Sequence, residues 1–139
     1  MPPGPASEKT VRKNLRKRDG MEALAVLVAP AVRSSLALGR PVIIDAVCCL
    51  QEMEYYRQTF DQGAPLVSVS TSFDIRANRV GVRAEKPMTV EELLERDVLE
   101  NTFLRTDLAI AAASTAICND GALGQLHQLL DDQVRHLVV

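Results

Sequence analysis

The chain has 139 residues, 47% of them apolar, and a formal net charge of −2. That length suits one domain around one core, and the mildly acidic balance excludes the net basic face expected of a nucleic-acid binder. No apolar run approaches the roughly 20 residues of a membrane-spanning helix, and no hydrophobic segment follows the basic start as it does in a secretory signal. Cys48, Cys49 and Cys118 give neither a disulfide framework nor a zinc spacing. All three sit in apolar segments, so buried free thiols in a reducing, cytoplasmic setting are expected.

Residues 1–6, rich in proline and glycine, are expected to form a disordered tail, and residues 7–139 a single domain. A polar helix follows through about Arg18, its Lys9, Arg12, Lys13, Arg16, Lys17 and Arg18 read as a solvated face because no aromatic residue interleaves them. Asp19-Gly20 breaks it. Residues 21–38 carry Ala23, Leu24, Leu27, Val28, Ala31 and Val32 at helical spacing, with a kink or restart expected at Pro30 and a stop at Gly39. Val42-Ile43-Ile44, ending in Asp45, reads as a buried parallel strand.

Residues 51–60 read as a helix with Met53, Tyr56 and Phe60 on one face. Gln62-Gly63 turns the chain into a second strand at 66–70, after which Ser72 is placed to cap a helix through about Val82. Thr89 and Glu92 have the spacing of a capping box. A helix bearing Leu93, Leu94 and Leu99 follows, then a helical stretch near 105–113. A third strand, Ala116-Ile117-Cys118, stops at Asn119-Asp120-Gly121 before an amphipathic last helix. Every strand-to-strand connection contains a helix, which predicts a parallel sheet with right-handed crossovers. The fold expected is α/β: a three-layer arrangement with helices on both faces of a parallel sheet, and a ligand at the carboxyl ends of the strands.

Several segments carry a resemblance. They are Leu15-Arg-Lys-Arg-Asp-Gly-Met-Glu-Ala-Leu-Ala, Pro41-Val-Ile-Ile-Asp-Ala-Val with Glu52-Met-Glu-Tyr-Tyr-Arg, the stretch 66–83 with its arginines, Glu92-Leu-Leu-Glu-Arg-Asp-Val-Leu-Glu, and Ile117-Cys-Asn-Asp-Gly-Ala-Leu-Gly-Gln-Leu. Taken in order, they resemble the P-loop nucleotide kinases of the adenylate-kinase-like and dephospho-coenzyme A kinase-like group. The chain departs from that group in having no G-x-x-x-x-G-K-[ST] phosphate loop and no strand leading into it. It also has Asp45-Ala46-Val47-Cys48 where an Asp-Gly-x-Arg is common. The absent strand is central in the family, which implies open strand edges here.

The resemblance implies ATP and magnesium as cofactors and a nucleotide or small phosphorylated substrate, with a lid near 76–88. Asp45 and Arg83 are its catalytic candidates. Asp45 would orient a magnesium-bound water or accept a substrate hydroxyl, and the structural alternative is a cap on the following helix. Arg76, Arg79 and Arg83 are spaced three and four apart, one face of a helix, and would neutralise phosphate charge; the alternative is a solvated basic face. Asn119, Asp120 and Gly121 would contact an adenine, and as a tight turn they call for positive φ at the glycine. His127 and His136 have no neighbours in sequence that suggest a metal site, and no metal ligands are assigned. Two functions follow: a truncated nucleotide (or dephospho-coenzyme A) kinase-like domain, inactive as an isolated chain, or a non-catalytic interaction or oligomerisation module. The expected partners are a second copy or a missing N-terminal fragment, with neither nucleic acid nor membrane.

Overall fold

The computed structural model describes residues 5–60 and 64–137, which fall into two compact units, Met1–Ala64 and Pro65–Val139. Residues 1–4 of the expected tail and the Gln62-Gly63 turn lie outside the described residues.

The first unit is all helical: α1 (Pro5–Asp19), α2 (Ala23–Ala37) and α3 (Leu50–Thr59), with α2 packed against both others. Gly20 ends α1 at φ +99, a conformation closed to most residues with a Cβ, and Gly39 closes α2 in the same way at φ +69. Pro30 lies inside α2 without dividing it into two helices. Its missing N–H faces the previous turn, and the Ser34 hydroxyl donates to the Pro30 carbonyl at 3.0 Å. Ala25, Ala29 and Val32, three to four apart, form the buried stripe of α2, and their small size lets the neighbouring helices approach closely. Cys49, Met53 and Tyr56 complete this core, and Tyr56 stacks on Phe60 with ring centroids 6.3 Å apart.

Two charged residues share that interior. Arg16 donates from Nη2 to Glu52 Oε1 at 2.8 Å, with both side chains almost fully buried, 6% and 4% exposed. The second Glu52 oxygen accepts from the Cys48 backbone N–H at 2.8 Å, at the start of α3. Arg16 is therefore not part of a solvated basic face. The charge is matched by an acid from another helix, the usual condition for a buried ion.

The second unit contains β1 (Val67–Ser70), α4 (Phe73–Val82), α5 (Val90–Leu99), α6 (Thr106–Ala111), β2 (Thr115–Cys118) and α7 (Leu123–Val134), followed by a short 3₁₀ turn. The strands pair in parallel, Val67 with Thr115 through Ser70 with Cys118. The Thr89–Glu92 capping box forms as expected: Glu92 N donates to Thr89 Oγ1 at 3.2 Å and Thr89 N to Glu92 Oε2 at 2.8 Å. Between α5 and α6 the chain loosens into a π turn over Glu100–Leu104, and Arg105 takes a left-handed conformation at φ +53. The exposed Arg105 guanidinium binds the Asp107 carboxylate at 3.0 and 2.9 Å, which holds that carboxyl below its usual range.

The expected three-layer sheet is not present. The chain is mostly helical, and its described residues contain one sheet of two parallel strands. The run Val42-Ile43-Ile44 is irregular and Ile43 is 93% exposed. A strand's backbone hydrogen bonds are made to a neighbouring strand, and the described residues of the first unit contain none, so apolar β-branched composition alone does not produce one. Burial of the thiols also divides: Cys49 is buried, Cys48 half-buried and Cys118 exposed. No single helix among the described residues is long and apolar enough to cross a membrane.

Candidate functional site

The carboxyl ends of β1 and β2 are the place where this chain brings separated residues together. Asn119 N donates to Ser70 O at 2.7 Å, extending the ladder by one bond past the strands. The next two residues of each strand end are then cross-linked. Thr71 Oγ1 donates to Asn119 O at 3.4 Å, and the Ser72 N–H to Asp120 Oδ1 at 2.8 Å. Ser72 is the N-cap of α4, yet its own side chain makes no capping bond. The Asp120 carboxylate, 48 residues on, binds the Ser72 N–H, and its negative charge suits the partly positive helix start.

Arg79, from the second turn of α4, spans the same turn. Its Nη1 donates to Asn119 O at 2.6 Å and its Nη2 to Gly121 O at 2.9 Å. A planar guanidinium suits two carbonyls held side by side. Of the residues singled out from the sequence, Arg79, Asn119, Asp120 and Gly121 are thus assembled in one place. Gly121 is not at positive φ. A Cβ there would lie 1.9 Å from Gln125 Oε1, the same oxygen that accepts from Ala122 N at 3.0 Å at the start of α7. The glycine is needed for that local cap rather than for a left-handed turn. Beside it opens a shallow cleft of about 410 Å³, lined by Cys118, Asn119, Gly121, Gln125, Leu126 and Leu129 among others.

The other candidates go elsewhere. Arg76 pairs with Asp97 of α5 and lies over the Phe73 ring at 5.8 Å. Arg83 falls beyond the end of α4, in extended backbone, and its Nε donates to Lys86 O at 2.6 Å. The three arginines therefore hold α5, the strand-end turn and the 83–86 loop, and do not form one row of donors. Asp45 is exposed in the irregular segment of the first unit, and α3 begins on Cys49 with the Glu52 carboxylate in the capping position instead. No group of three or more His, Cys, Asp or Glu side chains among the described residues converges as metal ligands would. These residues as arranged do not fit a phosphate-and-magnesium cradle, because the guanidinium groups of Arg76, Arg79 and Arg83 are each turned to a different protein acceptor.

Sequence reading passed over the Arg16–Glu52 pair and the Arg76–Asp97 pair. Each partner lies 21 or 36 residues from the other, and nothing in local spacing marks such a match. Near the first pair, burial raises the Cys49 thiol above its ordinary value of 9.0, and burial followed by the Glu52 charge raises the Tyr56 phenol.

Comparison with known proteins gives relatives from archaea. The chain is 32% identical over 128 residues to the UPF0200 protein of Pyrococcus furiosus, covering 90% of this chain and 68% of that protein. It is 26% identical over 141 residues to the UPF0200 protein of Pyrococcus abyssi, covering 99% of this chain and 75% of that one. A UPF0200/UPF0201 protein of Archaeoglobus fulgidus is 28% identical over 95 residues, and there the match spans only 29% of the relative's length. No family model matches the chain, and no solved structure does. These relatives are named as UPF0200 proteins and not as P-loop kinases, and the small sheet is not that fold, so the resemblance to nucleotide kinases drawn from the sequence is corrected. With 32% identity and more than two thirds of the Pyrococcus furiosus protein covered, the chain belongs to the UPF0200 family.

Proposed function

We propose that the chain is a non-catalytic interaction module that takes further polypeptide onto the β1 side of its sheet. One contrast carries this reading. Val69 and Ile117 are register partners on the same face, yet Ile117 is 2% exposed and Val69 52%. α7 packs against β2, and β1 has no such cover from α7. Elsewhere in the second unit Leu93 and Ala109 are buried, while Val82, Val90, Leu94, Val98, Ile110 and Leu123 stay largely exposed. An open strand edge beside an exposed apolar side chain is a template for pairing. The arginines at the strand ends are engaged by protein acceptors, which supports a structural use of that region over catalysis.

Light scattering across a concentration series, with thiol labelling of a Val69→Cys variant mapped by mass spectrometry, tests the reading. Slower labelling at position 69 is expected whenever polypeptide is taken up there, whether an added strand-forming peptide or, at high concentration, a second copy. A chain that stays monomeric at every concentration, and whose position 69 remains fully reactive with strand-forming peptides present, overturns it.

A further inference from the structure

We infer that the polypeptide taken up by β1 is an extended segment of the kind that the longer UPF0200 relatives carry outside the region matched here. The inference rests on the interaction reading above and names its partner. The Pyrococcus abyssi match uses 99% of this chain but 75% of that protein, so about a quarter of the relative has no counterpart in these 139 residues. The Pyrococcus furiosus protein likewise leaves about a third unmatched. Relatives that share this sequence thus hold additional polypeptide, and the shared region presents an unfinished sheet.

The geometry favours a strand over other occupants. β1 alternates Val67-Ser68-Val69-Ser70, apolar on one face and hydroxylated on the other, and its outer edge carries no strand among the described residues. A two-stranded sheet is marginal in water, and a third strand supplies both ladder hydrogen bonds and cover for the apolar face. A second copy of the chain is a poorer occupant. Four residues at about 3.3 Å each give an edge of only about 13 Å, so edge-to-edge pairing of two copies makes few ladder hydrogen bonds and does not by itself supply the roughly 1,200–2,000 Å² buried in a stable interface. An extended segment with β-branched residues in alternation meets both the edge and the exposed Val69 face without needing a large docking surface.

The experiment uses the full 139-residue chain and synthetic overlapping peptides that cover the unmatched part of the Pyrococcus abyssi relative. Binding is read by fluorescence anisotropy, the chain's mass by light scattering, and its melting temperature with and without peptide. One peptide is expected to bind, raise the melting temperature, and lose at least tenfold in affinity in a Val69→Lys variant. Val69→Thr, which keeps the β-branch, should bind within a few-fold of wild type and controls for general damage. Self-association without binding of any peptide overturns this inference and leaves the interaction reading standing. A monomer that binds none of them overturns both. Peptide binding that is indifferent to Val69→Lys places the contact elsewhere and also overturns the inference.

Discussion

The two units solve the problem of a small core in opposite ways. The first closes around alanines, Cys49, Met53 and Tyr56 and takes an Arg–Glu pair inside with them. The second leaves its sheet half covered, with one well-buried strand residue, Ile117, beside an exposed register partner. Helices satisfy their own backbones, so three of them can enclose an interior without outside help. A two-stranded sheet cannot, because each strand has an edge with unpaired groups. The lesson is that a helical unit can build its core unaided even while Leu27, Leu38 and Ile43 stay exposed, whereas a two-stranded sheet keeps edges that only another strand can pair.

The largest expected effect tests the closed unit. Glu52→Ala leaves the Arg16 guanidinium buried without its acid and removes the acceptor for the Cys48 N–H. A loss of about 3–5 kcal/mol in chemical denaturation is expected. If the variant is destabilised by less than about 1 kcal/mol, the pair is not buried as described.

The next effect compares positions across one register pair. Ile117→Ala should cost about 2–4 kcal/mol, as truncation of a buried aliphatic side chain does. Val69→Ala, at its exposed partner, should cost less than about 1 kcal/mol in the isolated chain. Equal costs would mean that β1 is already covered and would remove the contrast on which the proposed function rests.

A smaller effect is expected at the α5 start, where Thr89→Ala removes the hydroxyl side of the capping box and should lower stability by about 1 kcal/mol. The smallest is a pH dependence in the first unit. The Cys49 thiol is raised above 9.0 by burial, so the folded state keeps its proton longer than the unfolded chain does. That contribution is fully present below pH 9.0 and is lost as pH rises above it through the folded value. Melting measured from pH 8 to 10.5 should fall with pH, and Cys49→Ala should flatten part of that slope. The exposed Cys118 should alkylate well before Cys49.

Features that depend on neighbouring residues were legible in the sequence. The Thr89–Glu92 box, the Gly20 and Gly39 stops, and the parallel strands at 67–70 and 115–118 follow from short-range sterics, hydrogen bonding and the length of the connection. The gathering of Arg79 onto the Asn119–Gly121 turn combines residues that were each picked out singly. The arginine spacing was read as one face, but α4 ends at Val82 and Arg83 leaves it. The strand expected at Val42–Ile44 failed because its composition fits a strand while its unit supplies no partner.

By itself the sequence determined where most helices start and stop, two of the three runs it read as strands, and that any sheet joined through helices would be parallel. Those outcomes rest on φ/ψ limits, caps and periodicity, all set within a few residues. Tertiary structure alone decided that Arg16 meets Glu52, that Arg76 meets Asp97, that Asp120 binds the Ser72 N–H, and that Ile117 is buried while its register partner Val69 is not. Each of these is a meeting between groups 21 to 48 residues apart. Local preference carries no information about such distances, and only packing of the whole chain selects among the partners available.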